Sequence, residues 1–459
     1  MMPLNDTIVA PATAPGGALA VIRISGKNAL EICDSIFVSP SGKTLARQAG
    51  NTILYGNIVD SCGEFIDETL VSVFKAPASY TGENMVEISC HGSRWIVEAI
   101  LKAITEAGAR LAGPGEFTVR AFMAGKMDLT QAEAVADMIA SDNRASHSMA
   151  SAQLRGAFSA ELAAIRSSLL HLASLLELEL DFSEEDVSFA DRTELALLLD
   201  KAITEMTRLS ESFSLGNAIK EGVSVAIIGK PNAGKSTLLN RLLGEDRAMV
   251  SDIAGTTRDI IEEKIVISGI GFRFIDTAGI RESDDILERM GIERTYRSIE
   301  KARIILYMID GTDTIDANVL NDIQSLHVSA EQKIAILVNK TDQTVTDTTL
   351  LSSSDTPVIK ISAKFGDGMD ELKTFLTSQI DTSELLEGHA LVSNARHYEA
   401  LHTATEALRT ARTGIVSGLS SELLAEELRQ GLDAIGTITG EICNDEILSQ
   451  IFSKFCVGK

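Results

Sequence analysis

Cysteine is scarce in this chain and does not cluster. The five in 459 residues (Cys33, Cys62, Cys90, Cys443, Cys456) are odd in number and lack C-x-x-C spacing, which argues against a disulfide framework and a zinc site. A reducing cytoplasm is the expected setting. Long hydrophobic runs are also missing: nothing approaches the ~20 apolar residues of a membrane span. The opening MMPLNDT has no basic stretch leading into an apolar one, so no membrane contact is expected. Positive charge is short, with 41 basic against 65 acidic residues and a net charge of −24. This argues against a protein that coats nucleic acid by neutralising phosphates, although a local basic patch for one specific RNA remains open. Aromatics make up 5% of the chain, with a single tryptophan, Trp95, expected on the buried face of its helix.

Proline is the most informative scarcity. Its eight occurrences, at 3, 11, 15, 40, 77, 114, 231 and 357, leave residues 115–230 and 358–459 without any, and both stretches read as mostly helical. Leu154, Phe158, Leu162, Ile165, Leu169, Leu172 and Leu176 recur at steps of three and four, as do Leu424, Leu428, Leu432 and Ile435. Neither stripe can be buried alone, so the two stretches are expected to pack into one bundle around whatever separates them. A coiled coil between chains is the competing use, but the period breaks too soon for sustained heptads. The polar run 344–356 reads as a surface loop and 381–394 as a linker.

A chain of this length divides into about three domains. Before residue 123, extended segments at 7–10, 18–25, 52–59, 69–74 and 85–89 alternate with helical patterns at 27–37 and 93–108, which predicts a mixed α/β domain.

The centre of the chain carries the chemistry. Val223 to Gly244 reads strand, loop, helix, and Gly229 to Ser236 fits G-x-x-x-x-G-K-[ST]. Gly229 and Gly234 let backbone N–H groups face a phosphate, Lys235 would reach its β- and γ-groups, and Ser236 offers a hydroxyl to Mg²⁺. Asn232, Ala233 and Thr237 complete the loop. Strand patterns at 264–268 and 272–276 end in Asp276-Thr277-Ala278-Gly279, a D-x-x-G in which Asp276 would hold Mg²⁺ through water and Gly279 would sense the γ-phosphate. Further strand patterns at 303–310, 333–342 and 357–362 lead to Asn339-Lys340-Thr341-Asp342 and Ser362-Ala363-Lys364. The Asp342 carboxylate can accept both N1–H and the 2-amino group of guanine, donors that adenine lacks. Ser362-Ala363-Lys364 would present a backbone N–H to guanine O6. Four motifs in order, each at a strand end, point to GTP.

Two features depart from common signalling GTPases. Ile280 follows Gly279 where a water-positioning glutamine often stands. Asn232, inside the phosphate loop, carries an oxygen able to ligate a monovalent cation, and Gly255-Thr256-Thr257-Arg258-Asp259 could close a cage around it; turn chemistry is the plainer reading of Asn232.

Over residues 220–380 these motifs resemble the translation-factor-related GTPases. With Val21-Ile22-Arg23-Ile24-Ser25-Gly26 near the start and Cys456-Val457-Gly458-Lys459 at the end, the whole chain resembles the TrmE family of bacterial tRNA-modification GTPases. The resemblance implies an N-terminal α/β folate-binding and dimerisation domain (1–123), a helical bundle built from two segments (124–216 and 382–459), and a Ras-like doubly wound P-loop GTPase domain (217–381) inserted into that bundle. It implies a homodimer acting on tRNA with MnmG, an FAD- and NADH-dependent partner, in a heterotetramer or larger complex. The product it implies would be an aminomethyl or carboxymethylaminomethyl group on C5 of the wobble uridine, U34. Its cofactors would be GTP, Mg²⁺, K⁺ and 5,10-methylene-tetrahydrofolate, with 5-formyl-tetrahydrofolate as a bound analogue.

Carried over residue by residue, the resemblance implies folate contacts at Arg23, Glu87, Lys126 and Lys459. It adds Ser251, Asp252, Ile253, Ala254, Gly255, Thr256 and Thr257 to the GTP site. Thr257 would join Ser236 on Mg²⁺, and Asn232, Ser251, Ile253 and Thr256 would hold K⁺. Glu288 would orient the attacking water, with Asn232 and Lys235 at the reacting phosphates. Cys456 is open to two readings, a small buried hydrophobe among Phe452, Phe455 and Val457 or a participant in the modification chemistry. A ribosome-assembly GTPase, or a folate-binding regulator that hydrolyses GTP only to change shape, are the rival readings.

Overall fold

The computed structural model describes residues 6–181 (15 excepted), 192–245, 263–275, 299–314, 332–343, 356–380 and 390–453 (444 excepted), with single positions 326, 329, 351, 455, 457 and 458. Two compact units emerge, residues 1–136 with 432–459 and residues 137–431.

In the first unit, β1 (Ile8–Pro11), β2 (Leu19–Ser25), β3 (Phe37–Val38), β4 (Thr52–Val59), β5 (Phe65–Phe74), β6 (Met85–His91) and β7 (Arg110–Leu111) form one sheet. Its order is β3-β4-β5-β6-β2-β1-β7, antiparallel except where β1 runs parallel to β7. Alternation along the strands puts Ile22, Ile24, Val71, Val73, Val86 and Ile88 on one face. That face is covered by α1 (Ala29–Ile36) and α2 (Arg94–Glu106), which contribute Ile32, Ile36, Ile100 and Ile104.

Trp95 does not join this core; it is 64% exposed. The buried stripe of α2 runs through Ile96, Ile100, Ala103 and Ile104. Five residues of helix turn Trp95 about 140° from Ile100, so size and apolarity yield to helical phase. Two short strands, β3 and β7, stand where the sequence pattern showed none, and one helix, α3 (Glu116–Met123), opens the stretch read as mostly helical. The helix Asp445–Phe452 packs on α3, with Phe452 and Phe455 buried beside Leu129 and Ala132.

Beneath α3 lies a charged knot. Arg120, 1% exposed, donates to Asp6 Oδ1 (2.7 Å), to Glu116 Oε1 (3.1 Å) and to Glu83 (3.3 Å). Glu116 also receives Arg110 and the Gly113 N–H. Burial pushes the carboxyls of Glu116 and Asp6 upward, but their arginine partners outweigh it and hold both below the ordinary carboxylate value.

The second unit begins its helices within α4 (Leu129–Ala140), followed by α5 (Arg144–Leu154), α6 (Ala157–Asp181), α7 (Arg192–Glu211) and α8 (Phe213–Glu221). The long stripe is shared between two helices: Leu154 closes α5, and Gly156 at φ +85° separates it from α6, where Phe158, Leu162, Ile165, Leu169, Leu172 and Leu176 are buried. Each such burial is worth ~1.5–3 kcal/mol.

The sheet of this unit comprises β8 (Val223–Gly229), β9 (Glu263–Ile267), β10 (Ile270–Phe274), β11 (Ile304–Asp310), β12 (Lys333–Asn339) and β13 (Val358–Lys360). Its order is β13-β12-β11-β8-β10-β9, parallel except for β9 with β10. Both faces are buried, which explains why the strands read as unbroken apolar runs. Ile227, Leu306 and Leu337 face α9 (Lys235–Glu245) and α10 (Met369–Ser378), while Ile228, Tyr307 and Val338 face Ile299 and Ala302.

After this sheet the chain returns to the helices. α11 (Ala395–Ser417) packs on α7, with Arg412 on Asp200 at 2.9 Å. The two proline-free stretches therefore do pack together with the sheet between them in sequence. The expected linker ends in a buried segment: Ala390, Leu391, Val392 and Ser393 are each at most 5% exposed, and the Val392 N–H donates to Ser212 Oγ at 3.0 Å. Three consecutive apolar side chains draw it inward. In α12 (Ser421–Thr439), Leu424, Leu428, Leu432 and Ile435 are buried as their spacing predicts. Of the loop at 344–356, most lies outside the described residues, and Leu351 is buried.

Glu116→Gln leaves Arg120 buried with one charge partner fewer, and should destabilise the protein by ~3–5 kcal/mol at pH 7. Both carboxyls have depressed native pKa values, so their contribution is full above about pH 4 and is lost as pH falls through the native values. Urea titrations followed by circular dichroism should show the gap between wild type and Glu116→Gln closing in acid.

Candidate functional site

A doubly wound sheet binds ligands beyond the carboxyl ends of its strands, and here those ends carry the motif loops. The turn after β8 places Gly229 at φ +149° and Gly234 at φ +100°. A Cβ on Gly229 would overlap the Met308 carbonyl, and one on Gly234 would overlap the Asn339 amide nitrogen, so both positions demand glycine for space as well as conformation. Lys235 opens α9, and its ammonium donates to the carbonyls of Gly229 and Lys230 at 2.8 and 2.9 Å. Burial lowers its pKa. Ser236 and Thr237 stand in the first turn of α9, where helix N–H groups converge on an anion. Asn232 is exposed at φ +62°, a conformation asparagine tolerates, so the turn has its own use for this residue.

The third and fourth motifs are tied to the first by one side chain. Asn339, 3% exposed, donates from Nδ2 to the Ala233 carbonyl (2.8 Å) and accepts from the Ala363 N–H (3.0 Å). Asp342 is exposed, and its Oδ1 receives the Ser362 hydroxyl at 2.7 Å. Lys340, at φ +65°, pairs with Asp310 at the end of β11. Burial would raise the Asp310 carboxyl, but hydrogen bonds from Lys340 and Thr312 outweigh it and hold its pKa low. The Lys364 carbonyl accepts from Arg241 on α9 at 2.9 Å.

The structure thus gathers Ala233, Gly234, Lys235, Asn339, Lys340, Asp342, Ser362, Ala363 and Lys364 around one end of one sheet. Ser251 to Thr257, Asp276 to Gly279 and Glu288 lie outside the described residues.

A second constellation lies in the first unit. Arg23 and Glu87 stand opposite each other across β2 and β6, and Arg23 Nε meets Glu87 Oε1 at 2.8 Å. Its guanidinium lies 5.3 Å from the centre of the Tyr80 ring and 5.8 Å from that of Phe117. Its Nη1 donates to the Gly458 carbonyl at 3.3 Å. Gly458, at φ +96°, abuts the Pro11 backbone, and Val457 bridges Pro114, so the C-terminal segment is docked beside Arg23. Lys126 is apart from this contact, exposed, with its ammonium on the Pro77 carbonyl at 3.0 Å. Cys456 and Lys459 lie outside the described residues. Burial pushes the Cys33 thiol up and the Cys90 thiol up to about 11, which makes both poor nucleophiles.

Comparison with known proteins agrees over the full length. Residues 7–126 match the family described as GTP-binding protein TrmE N-terminus, and residues 129–456 the one described as MnmE helical domain. The chain belongs to the MnmE family of tRNA modification GTPases. It is 49% identical over 464 residues to the tRNA modification GTPase MnmE of Flavobacterium johnsoniae, covering 99% of each. Identity to the MnmE of Porphyromonas gingivalis is 50% over 468 residues, covering 99% of this chain and 98% of that one. For the MnmE of Cytophaga hutchinsonii it is 48% over 456 residues, with the same coverage. As a member of this family the chain is a GTPase.

Sequence reasoning passed over Tyr80 and Phe117, which flank Arg23, and over Asp310. The last had a signal: like Asp276 it ends a strand pattern in the sequence, and Gly311 follows it at once.

Asp342→Asn should weaken GTP binding by roughly 10- to 100-fold through loss of charge-assisted hydrogen bonds, and should improve xanthosine triphosphate, whose 2-carbonyl accepts from the new amide. Competitive nucleotide titration reads both.

Proposed function

We propose that this chain is a potassium-activated GTP hydrolase that, with MnmG, uses a tetrahydrofolate one-carbon unit to add an aminomethyl or carboxymethylaminomethyl group to C5 of U34 in certain tRNAs. The observation that carries the reading is the contact of Arg23 with both Glu87 and the C-terminal Gly458. A guanidinium and a carboxylate beside two aromatic rings fit a flat, donor-rich heterocycle with an anionic tail. Glu87 would accept from the amino-pyrimidine edge, Arg23 would orient the ring, and Lys126 would release Pro77 to take an anionic group, with Lys459 as a further cation. A bound tetrahydrofolate would supply the one-carbon unit. Cys456 precedes Val457 in the sequence and would stand near this chemistry.

In the GTPase unit, Ser236 and Thr257 would hold Mg²⁺ and Glu288 would orient the water. Ile280 stands where a glutamine otherwise acts, so the charge developing on the γ-phosphate needs another counterpart. Asn232, exposed on the phosphate loop, fits a cation ligand, with Ser251, Ile253 and Thr256 completing the shell. A K⁺ there would supply positive charge worth part of the 10³–10⁵ of an arginine finger, as an order of magnitude.

A homodimer through the first unit is supported by the open face of its sheet, where Leu19, Ile53, Tyr55 and Leu70 are exposed and Tyr55 pairs with Leu70 across β4 and β5. Among the described residues no helix is long and apolar enough to cross a membrane, which accords with a cytoplasmic setting.

Mass spectrometry of tRNA from cells lacking this protein should show U34 unmodified, and labelled methylene-tetrahydrofolate should pass its carbon to tRNA in a reaction with both proteins. Label-free tRNA would favour a regulator without base chemistry. Hydrolysis should run at least ten times faster in K⁺ than in Na⁺ at equal ionic strength, and Asn232→Ala should erase the difference. Equal rates in the two salts would remove the cation from the mechanism.

A further inference from the structure

Lys340 departs from its neighbours in one respect: its backbone sits at φ +65°, a region that residues with a Cβ avoid. Surrounding backbone bonds hold it there. Gly311 N–H donates to the Asn339 carbonyl (2.8 Å), Thr341 N–H to that of Ile361 (3.2 Å) and Gln343 N–H to that of Lys340 itself (3.0 Å). The side chain then runs from the end of β12 to the end of β11, where its ammonium meets Asp310 Oδ2. Asp310 is fixed in turn, its Oδ1 accepting from the Thr312 N–H (3.0 Å) and hydroxyl (2.7 Å). The Asp310 side chain is 13% exposed and that of Lys340 31%, so the carboxylate that holds the ammonium is sheltered while part of the lysine side chain stays open to a ligand.

A lysine stem is apolar and roughly as long as a purine is wide. Left free, it samples many rotamers, and a ligand that packs on it must freeze them at an entropic cost. Here the cost is met in advance by the ion pair. We propose that Asp310 is a positioning residue for nucleotide binding: by anchoring the Lys340 ammonium it holds the methylene stem still, as a platform for the face of a guanine whose edge is bonded to Asp342. The platform touches the ring face and not the 2-amino edge, so Asp310 governs how long a purine nucleotide stays and leaves the choice among purines to Asp342. This rests on the reading of Asp342 as the guanine acceptor.

The test is dissociation of fluorescent GDP and IDP from the full-length protein carrying Asp310→Asn, which removes the charge and keeps the shape and the acceptor for Thr312. Both nucleotides should leave about tenfold faster, with the GDP-to-IDP affinity ratio unchanged. KM for GTP should rise to match, while kcat at saturation stays within about twofold, a split that general loosening of the fold would not give. Combined with Lys340→Gln, Asp310→Asn should add no further loss. Thr312→Val, which keeps the ion pair and loses one of its supports, should act in the same direction by about two- to threefold, and serves if Asp310→Asn folds poorly. Wild-type dissociation rates in both variants, or losses that add fully to those of Lys340→Gln, would overturn the proposal. Asp342→Asn measured alongside separates the two readings. If it fails to shift preference toward xanthosine nucleotides, the guanine pocket itself is misread and this inference falls with it. If it shifts preference and Asp310→Asn does nothing, only the role of Asp310 falls.

Discussion

A single carboxamide, that of Asn339, binds three loops that the sequence keeps far apart. It donates to the Ala233 carbonyl and accepts from the Ala363 N–H, so phosphate loop, base-recognition strand end and the turn after β13 share one rigid point. Only an amide can do this: aspartate has no proton for Ala233, and no apolar side chain could satisfy either backbone group. Burial makes the arrangement demanding, because each bond is stronger in a low-dielectric interior and each missing one costlier. Gly234 is the complement, since a Cβ there would occupy the space of the Asn339 nitrogen.

The first unit has a comparable centre in Arg23. One guanidinium touches the facing strand through Glu87, stands near two aromatic rings and reaches the carbonyl of Gly458. Behind it, the charges around Arg120 are internally matched, with Asp6, Glu83 and Glu116 all received by buried or half-buried arginine. The unit therefore joins residues from the beginning and end of the chain through charge as well as through the apolar contacts of Phe452 and Phe455.

What the sequence made legible was local. The strand, turn and helix around Gly229 to Ser236 could be read because glycine spacing and apolar period act over a few residues, and the buried stripes of α6 and α12 could be read for the same reason. Relations between distant residues could not. Nothing near Arg120 announces Asp6, nothing near Lys340 announces Asp310, and the docking of residues 457–458 beside Arg23 depends on backbone fit at Gly458 that no periodicity records. Phase caused the remaining errors: Gly156 divides the stripe that began at Leu154, and Trp95 misses the buried face of α2 by a little over a third of a turn. Ala390 to Val392 were read with their polar neighbours and are buried because apolarity outweighed loop context.

The exposure of Trp95 has an optical consequence. As the one indole in 459 residues, standing on the outer side of α2 at 64% exposure, it gives the protein a single red-shifted emitter belonging wholly to the first unit. Emission excited at the indole band is blind to local packing around the nucleotide loops, and its wavelength and quenching by iodide record only what happens on that one helix surface. The polypeptide thus carries a built-in label that distinguishes events on its N-terminal unit from events on the other without any dye attached.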